Sequence, residues 1–171
     1  MSKPSPSMFP GRACLDRNAA TGGTKQPMPV SLAGAYRLVA CKIVWADGKV
    51  DLPYGADPEG LLVYTSSGYV TGHLMRRDVT KFRTGARQAS AEQAKEAFLG
   101  YLGYYGTYAV DEESGTVTHR VLGSWHPNWV GTDQVRHFRL EGATLVIETP
   151  PIASGSASYR TRLVWRRSET A

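Results

Sequence analysis

Three of the four histidines in this chain, His119, His126 and His137, fall between Gly106 and Leu140, with Trp125, Trp129 and Arg136 among them. Grouped imidazoles suit general acid–base work or metal binding. Arg136, standing between Val135 and His137 in a strand pattern, has the planar fork that grips a carboxylate or enolate oxygen. Whether these groups can act together is a question of faces. Thr116 to Trp125 and Gln134 to Leu140 both alternate as strands, and a hairpin between them would oppose residues whose numbers sum to about 256 or 257. An even sum puts His119 and His137 on one face, and an odd sum separates them.

Other chemistries find less support. The histidines are not paired at i,i+2 or i,i+4, no H-E-x-x-H occurs, and Cys14 and Cys41 do not cluster, so no metal site is expected. There is no G-x-S-x-G elbow, and Cys41 in an apolar strand reads as a core residue rather than a thiolate. Asp111, Glu112 and Glu113 lie in a turn and Glu92 and Glu96 on an exposed helical face; Glu148, inside a strand, reads as a surface group that Arg136, Arg160 or Arg162 could pair. Neither G-x-G-x-x-G nor G-x-x-x-x-G-K-[ST] occurs, and no cofactor is expected.

The remaining candidates depend on orientation. Tyr69, Thr71, His73 and Met75 share one face of a strand, and Val70, Gly72 and Leu74 share the other. If a helix covers the outside here, Val70 and Leu74 pack against it and His73 faces a cavity; the opposite orientation leaves His73 solvated, and the alternation fits both. His126, beside a loop, reads as solvent-facing. Trp125, Trp129, Tyr64, Tyr69, Tyr104, Tyr105 and Tyr159 are either core or the lining of a site for a flat or extended apolar ligand. The expected catalytic donors are His73, His119, His137 and Arg136. Tyr64, Tyr69, Thr71, Met75, Trp125, Trp129 and Tyr159 are the expected ligand contacts.

The elements that position these residues are mostly strands. Tyr36 to Trp45 ends at the turn Ala46-Asp47-Gly48-Lys49, and Gly60 to Thr65 and Tyr69 to Met75 flank Ser66-Ser67-Gly68. One helix interrupts them. Ser90 is its N-cap with Gln93 at the capping-box position, and Ala94, Ala97, Phe98, Tyr101, Leu102 and Tyr105 recur at helical spacing, with Gly100 and Gly103 weakening its end. Ala143 to Glu148, halted by Pro150-Pro151, and Ser158 to Arg167 complete the set. About eight strands with one amphipathic helix and no βαβ alternation predict an antiparallel β-barrel around a small cavity.

With 171 residues, 42% of them hydrophobic, the chain suits a single core over residues 30–168. Residues 1–29, rich in Pro, Gly, Ser and Thr, read as a flexible tail or as a lid over a pocket. The net charge of +5 is concentrated at the ends: Lys3, Arg12, Arg17 and Lys25 against Asp16 give +3, Arg166 and Arg167 against Glu169 give +1, and +1 remains for the rest. No basic cluster interleaved with aromatics follows, which argues against a nucleic-acid partner. The absence of an apolar run argues against a membrane segment, and the cysteine usage fits a reduced cytoplasm. The oligomeric state is open, a homodimer included.

Several strings resemble the bacterial and fungal lipocalin-like domain family. They are Gly34-Ala35-Tyr36-Arg37-Leu38-Val39, Tyr54-Gly55-x-Asp57-Pro58-x-Gly60-Leu61-Leu62-x-Tyr64-Thr65-x-x-Gly68-Tyr69 and His73-Leu74-Met75-Arg76. Tyr105-Gly106-Thr107-Tyr108, Gly115-Thr116-Val117-Thr118-His119, Pro127-Asn128-Trp129-x-Gly131, Thr149-Pro150-Pro151-Ile152 and Leu163-Val164-Trp165 extend the likeness over about residues 32–166. The resemblance implies a lipocalin-like β-barrel with a small-molecule cavity. It also implies that Tyr36, where lipocalins carry Trp in Gly-x-Trp, plugs the barrel bottom. In size and plan the chain is similar to natural-product cyclase barrels, which implies a cofactor-independent cyclase or isomerase acting on a hydrophobic or polyketide-like metabolite. The alternative is a carrier that binds such a ligand without chemistry.

Overall fold

The computed structural model describes residues 31–168, so the expected tail or lid over residues 1–29 lies outside the described residues. Ten strands and one helix follow in the order β1 (Gly34–Trp45), β2 (Val50–Asp51), β3 (Glu59–Tyr64), β4 (Tyr69–Met75), α1 (Ala91–Leu99), β5 (Tyr101–Asp111), β6 (Thr116–Ser124), β7 (Asp133–Glu141), β8 (Thr144–Glu148), β9 (Ile152–Ser154) and β10 (Ala157–Arg167). All pairings are antiparallel. Strands β1, β3, β4, β5, β6, β7, β8 and β10 form a ring that closes where β1 pairs with β10, from Tyr36 opposite Arg167 to Trp45 opposite Tyr159. This is an eight-stranded barrel, with β2 attached to the far end of β1 and β9 to the start of β10.

Alternation directs the side chains. Leu62 and Tyr64 of β3, Val70 and Leu74 of β4, Val117 and Val121 of β6, and Leu145 and Ile147 of β8 point inward, burying one residue in two, as expected of strands with one wet face. Tyr36 is 0% exposed and closes one end of the barrel against Tyr64, Leu32 and Trp165. The Arg167 guanidinium lies 4.8 Å over the Tyr36 ring and donates to the Ala33 carbonyl (2.7 Å) and the Tyr36 hydroxyl, while that hydroxyl donates to the Leu32 carbonyl (3.0 Å). The plug expected at Tyr36 is thus held by a cation from the last strand.

Three local features depart from expectation. The capping box at Ser90 and Gln93 forms, but α1 ends at Leu99, and Tyr101, Leu102 and Tyr105 belong to β5. The cross-strand pairing of β5 with β4 outweighs the helical spacing of those residues. Next, β6 carries an extra residue, Leu122, between Val121 (opposite Gly106) and Gly123 (opposite Tyr105). That bulge inverts the alternation, so Trp125 points outward although it shares parity with His119. Lastly, β6 and β7 pair Thr116 with His137 and His119 with Gln134, a sum of 253. Gly131, at φ 80°, donates its N–H to the Val121 carbonyl (2.9 Å) and so fixes the shift. The sum is odd, so His119 and His137 lie on opposite faces.

Candidate functional site

At the end away from Tyr36 the barrel holds a cavity of about 640 Å³, within the range of small-molecule sites. Its body is apolar, built by Ile43, Leu62, Leu74, Leu102, Ile147, Leu163 and Trp165. Tyr104, His119, Gln134 and Arg136 place polar groups on the wall made by β5, β6 and β7, and Thr161 of β10 and Thr149 just after β8 add hydroxyls. Tyr54, His126, Trp129, Pro150, Pro151 and Tyr159 are also among the lining residues.

His119 is 1% exposed and both ring nitrogens are engaged, Nε2 with the Tyr64 hydroxyl (2.8 Å) and Nδ1 with the Tyr104 hydroxyl (2.9 Å). Burial, with the nearby Arg136 charge adding to it, pushes the imidazole down to about 3, so it is neutral at physiological pH. Burial also raises the Tyr104 phenol to about 12, against a lowering by Arg136, and holds the Tyr64 phenol well above its ordinary range. The Tyr104 ring stacks on His119 (5.7 Å between centroids, 28°) over Gly72, where a Cβ would come within 3.0 Å of that ring. Glycine at position 72 therefore makes room for Tyr104.

Arg136 reaches the same wall from β7. Burial pulls its guanidinium down, and the Tyr104 and Tyr64 hydroxyls act in the opposite direction. It takes part in no ion pair among the described residues. Its donors go to the Gln134 side-chain oxygen (3.1 Å) and the Val135 carbonyl (2.8 Å). Gln134 donates to Thr132 Oγ1 (2.8 Å), which donates to the Trp129 carbonyl (2.7 Å), and the guanidinium lies 5.8 Å over the Trp129 ring. Trp129 itself stacks on His126 (5.8 Å, 9°), so His126 belongs to the cavity lining rather than to open solvent. Cys41, a free thiol on the apolar side, is pushed up to about 12 by burial.

Of the expected site residues, His119, Arg136, Trp129 and Tyr159 line the cavity, and Tyr64 stands behind His119. The others lie elsewhere. The β4 face of Tyr69 (54% exposed), Thr71, His73 and Met75 (40% exposed) is the outer one, because Val70, Gly72 and Leu74 fill the interior and α1 packs on β5. His73 there bonds to Thr71 Oγ1 (2.9 Å) and to the Tyr101 hydroxyl. His137 is exposed on the outside of β7 next to Glu148, which pairs with Arg162 (3.3 Å). Trp125 is turned outward by the bulge, stacks on Phe98 (4.5 Å) and donates from Nε1 to the Phe98 carbonyl (2.8 Å), fastening α1 to the barrel. Tyr54 and Gln134 were not expected at the site. Tyr54 comes from a turn that no periodicity marks, whereas Gln134 shares the inward face of β7 with Arg136, so the strand alternation could have found it.

The lipocalin-like domain family matches residues 33–168. The chain belongs to that family. A search of the curated proteins gives no match. Among solved structures, a lipocalin-like protein from Bacteroides uniformis is 13% identical, with 80% of this chain and 98% of that chain covered and a TM-score of 0.43. Membership in the family fits small-molecule binding in the interior of this lipocalin-like barrel. Among the described residues no three His, Cys, Asp or Glu side chains converge to hold a metal ion, and no helix is long and apolar enough to cross a membrane.

Proposed function

We propose that this barrel binds a small, largely apolar metabolite by an acidic or carbonyl oxygen and acts on it as a cofactor-independent cyclase or isomerase in secondary-metabolite biosynthesis. The observation that carries the reading is Arg136: a partly buried cation with no carboxylate partner among the described residues, beside the Tyr104 hydroxyl, on a cavity whose body is apolar. A buried charge without a counter-ion is costly, and a ligand oxyanion would supply what the fold withholds. An apolar chamber that confines a flexible polyketide-like chain brings its reacting ends together, and donors fixed at one wall stabilise charge developing on a carbonyl. His119 is neutral and engaged at both nitrogens, so proton abstraction is not its role. A concerted, Diels–Alder-type ring closure needs no proton transfer, which favours a pericyclic reaction. The free thiol of Cys41 is in keeping with a reducing compartment, and we propose the cytoplasm.

The second reading is a carrier, favoured by His119 having both ring nitrogens engaged and by burial that opposes ionisation of the Cys41 thiol. The two separate in one assay, in which a linear polyene ketone carrying a diene and a dienophile is incubated with the protein and the cyclised product is followed by chromatography. An enzyme accelerates closure over the buffer rate, and Arg136→Met removes at least about tenfold of that acceleration, the worth of one charge-assisted contact. Saturable binding with closure at the buffer rate would leave the carrier.

A further inference from the structure

The chain Tyr64, His119, Tyr104 fixes where one hydrogen must point. A neutral imidazole carries a single N–H, so it donates through one nitrogen and accepts through the other. One of the two tyrosines therefore donates to His119, and the other accepts from it and keeps its own hydroxyl hydrogen for another partner. Burial decides which. The Tyr64 hydroxyl is enclosed, its ring is 1% exposed against Tyr36 and Tyr108, and among the described residues its hydrogen-bond partner is Nε2. If Tyr64 accepted, its hydrogen would be buried without an acceptor, at the full desolvation cost of that group. Tyr64 thus donates to Nε2, the ring proton sits on Nδ1 and goes to the Tyr104 oxygen, and the hydrogen left over is that of Tyr104. Tyr104 lines the cavity.

We infer that Tyr104 is the hydrogen-bond donor that contacts the ligand, and that with Arg136 it forms a head offering donors only. Such a head selects the ionised form of an acidic amphiphile, a carboxylate or enolate on an apolar body. His119 is a positioning residue, which spends its one proton on Tyr104 so that Tyr104 can spend its own on the ligand. Two acceptors of the same lining are already taken, Gln134 Oε1 by Arg136 (3.1 Å) and Thr149 Oγ1 by the Thr161 N–H (2.9 Å). Trp165 Nε1, on the same cavity, is a buried donor with no acceptor among the described residues. The carboxylate in the lining, Asp133, is exposed and held by Arg120 (3.2 Å). This inference rests on the cavity being a ligand site, as proposed above.

The test uses the full chain at about neutral pH with N-phenyl-1-naphthylamine as an uncharged fluorescent reporter, displaced by decanoate or by decanamide, which match in length and shape. The expected result is that decanoate competes at a concentration about tenfold lower or more, and that Tyr104→Phe weakens decanoate by about tenfold and decanamide by less. Equal competition by the two, or an unchanged decanoate affinity in Tyr104→Phe, overturns the inference while the cavity remains a ligand site. A reporter that never enters overturns the site itself, and the inference with it. A measurement on the unaltered protein stands apart from any folding defect. In the nitrogen-15 spectrum of its imidazoles, His119 should show a protonated Nδ1 and an unprotonated Nε2, and the reverse tautomer would refute the assignment.

Discussion

At the scale of single residues, His119 links the cavity to the stability of the fold. Its imidazole titrates near 3 in the folded chain and near about 6.5 when unfolded. Between those values the unfolded chain binds a proton that the native chain refuses. The favourable balance is complete above about pH 6.5 and is lost as the pH falls toward 3, at about 1.4 kcal/mol per unit. Urea midpoints taken between about pH 7 and pH 5 should fall in the parent, and His119→Gln should flatten that slope. An unchanged slope in the variant would assign the acid sensitivity to other groups. The sequence made Arg136 legible, because an arginine flanked by Val135 and His137 in a strand is unusual whichever way it faces. It could not choose among the histidines. His73, His119 and His137 sit in equally good alternations; the register sum of 253, where 256 or 257 was expected, separates His119 from His137, and the orientation of β4 turns His73 outward.

At the scale of elements, the β5–β6 bulge governs the polar wall. It lets Val121 and His119 face inward while Trp125, a few residues on, leaves for α1. Gly106 is what permits it: a Cβ there would lie 2.0 Å from the Arg120 carbonyl oxygen, a backbone atom of the paired strand that cannot step aside. Gly106→Ala should destabilise the fold by about 3 kcal/mol, measured by urea unfolding, and a loss below about 1 kcal/mol would show that the pairing is looser than described. A single sequence shows a glycine at position 106 but not the strand opposite it, so the bulge was not readable in advance. The start of α1 was readable, since Ser90 and Gln93 are local signals, whereas its end depended on Tyr101 to Tyr105 finding a partner in β4.

At the scale of the molecule, the barrel is stapled at one end and open to a ligand at the other. Arg167 joins the last strand to the entry of the first, and Arg167→Met should remove about 2 kcal/mol through the lost charge-assisted bonds and the ring contact, a fall of about 4–8 °C in Tm. Reporter binding in the distant cavity should be unchanged; a parallel loss of binding would mean that the staple also sets the cavity's shape. The Gly34-x-Tyr36 string made the plug legible, but nothing in the sequence pointed to a cation so far away in the chain. The attachment of β2 and β9 carries a different consequence. Ring closure gives each of the eight barrel strands a neighbour on both sides over part of its length, so the strands that are paired on one side only are these two short segments. One is two residues long with Pro53 just after it, and the other is three residues long directly behind Pro150-Pro151. Proline and brevity blunt both edges, and the Lys49–Asp51 ion pair (3.1 Å) adds charge at β2, so neither segment offers a long flat edge for another strand to pair with.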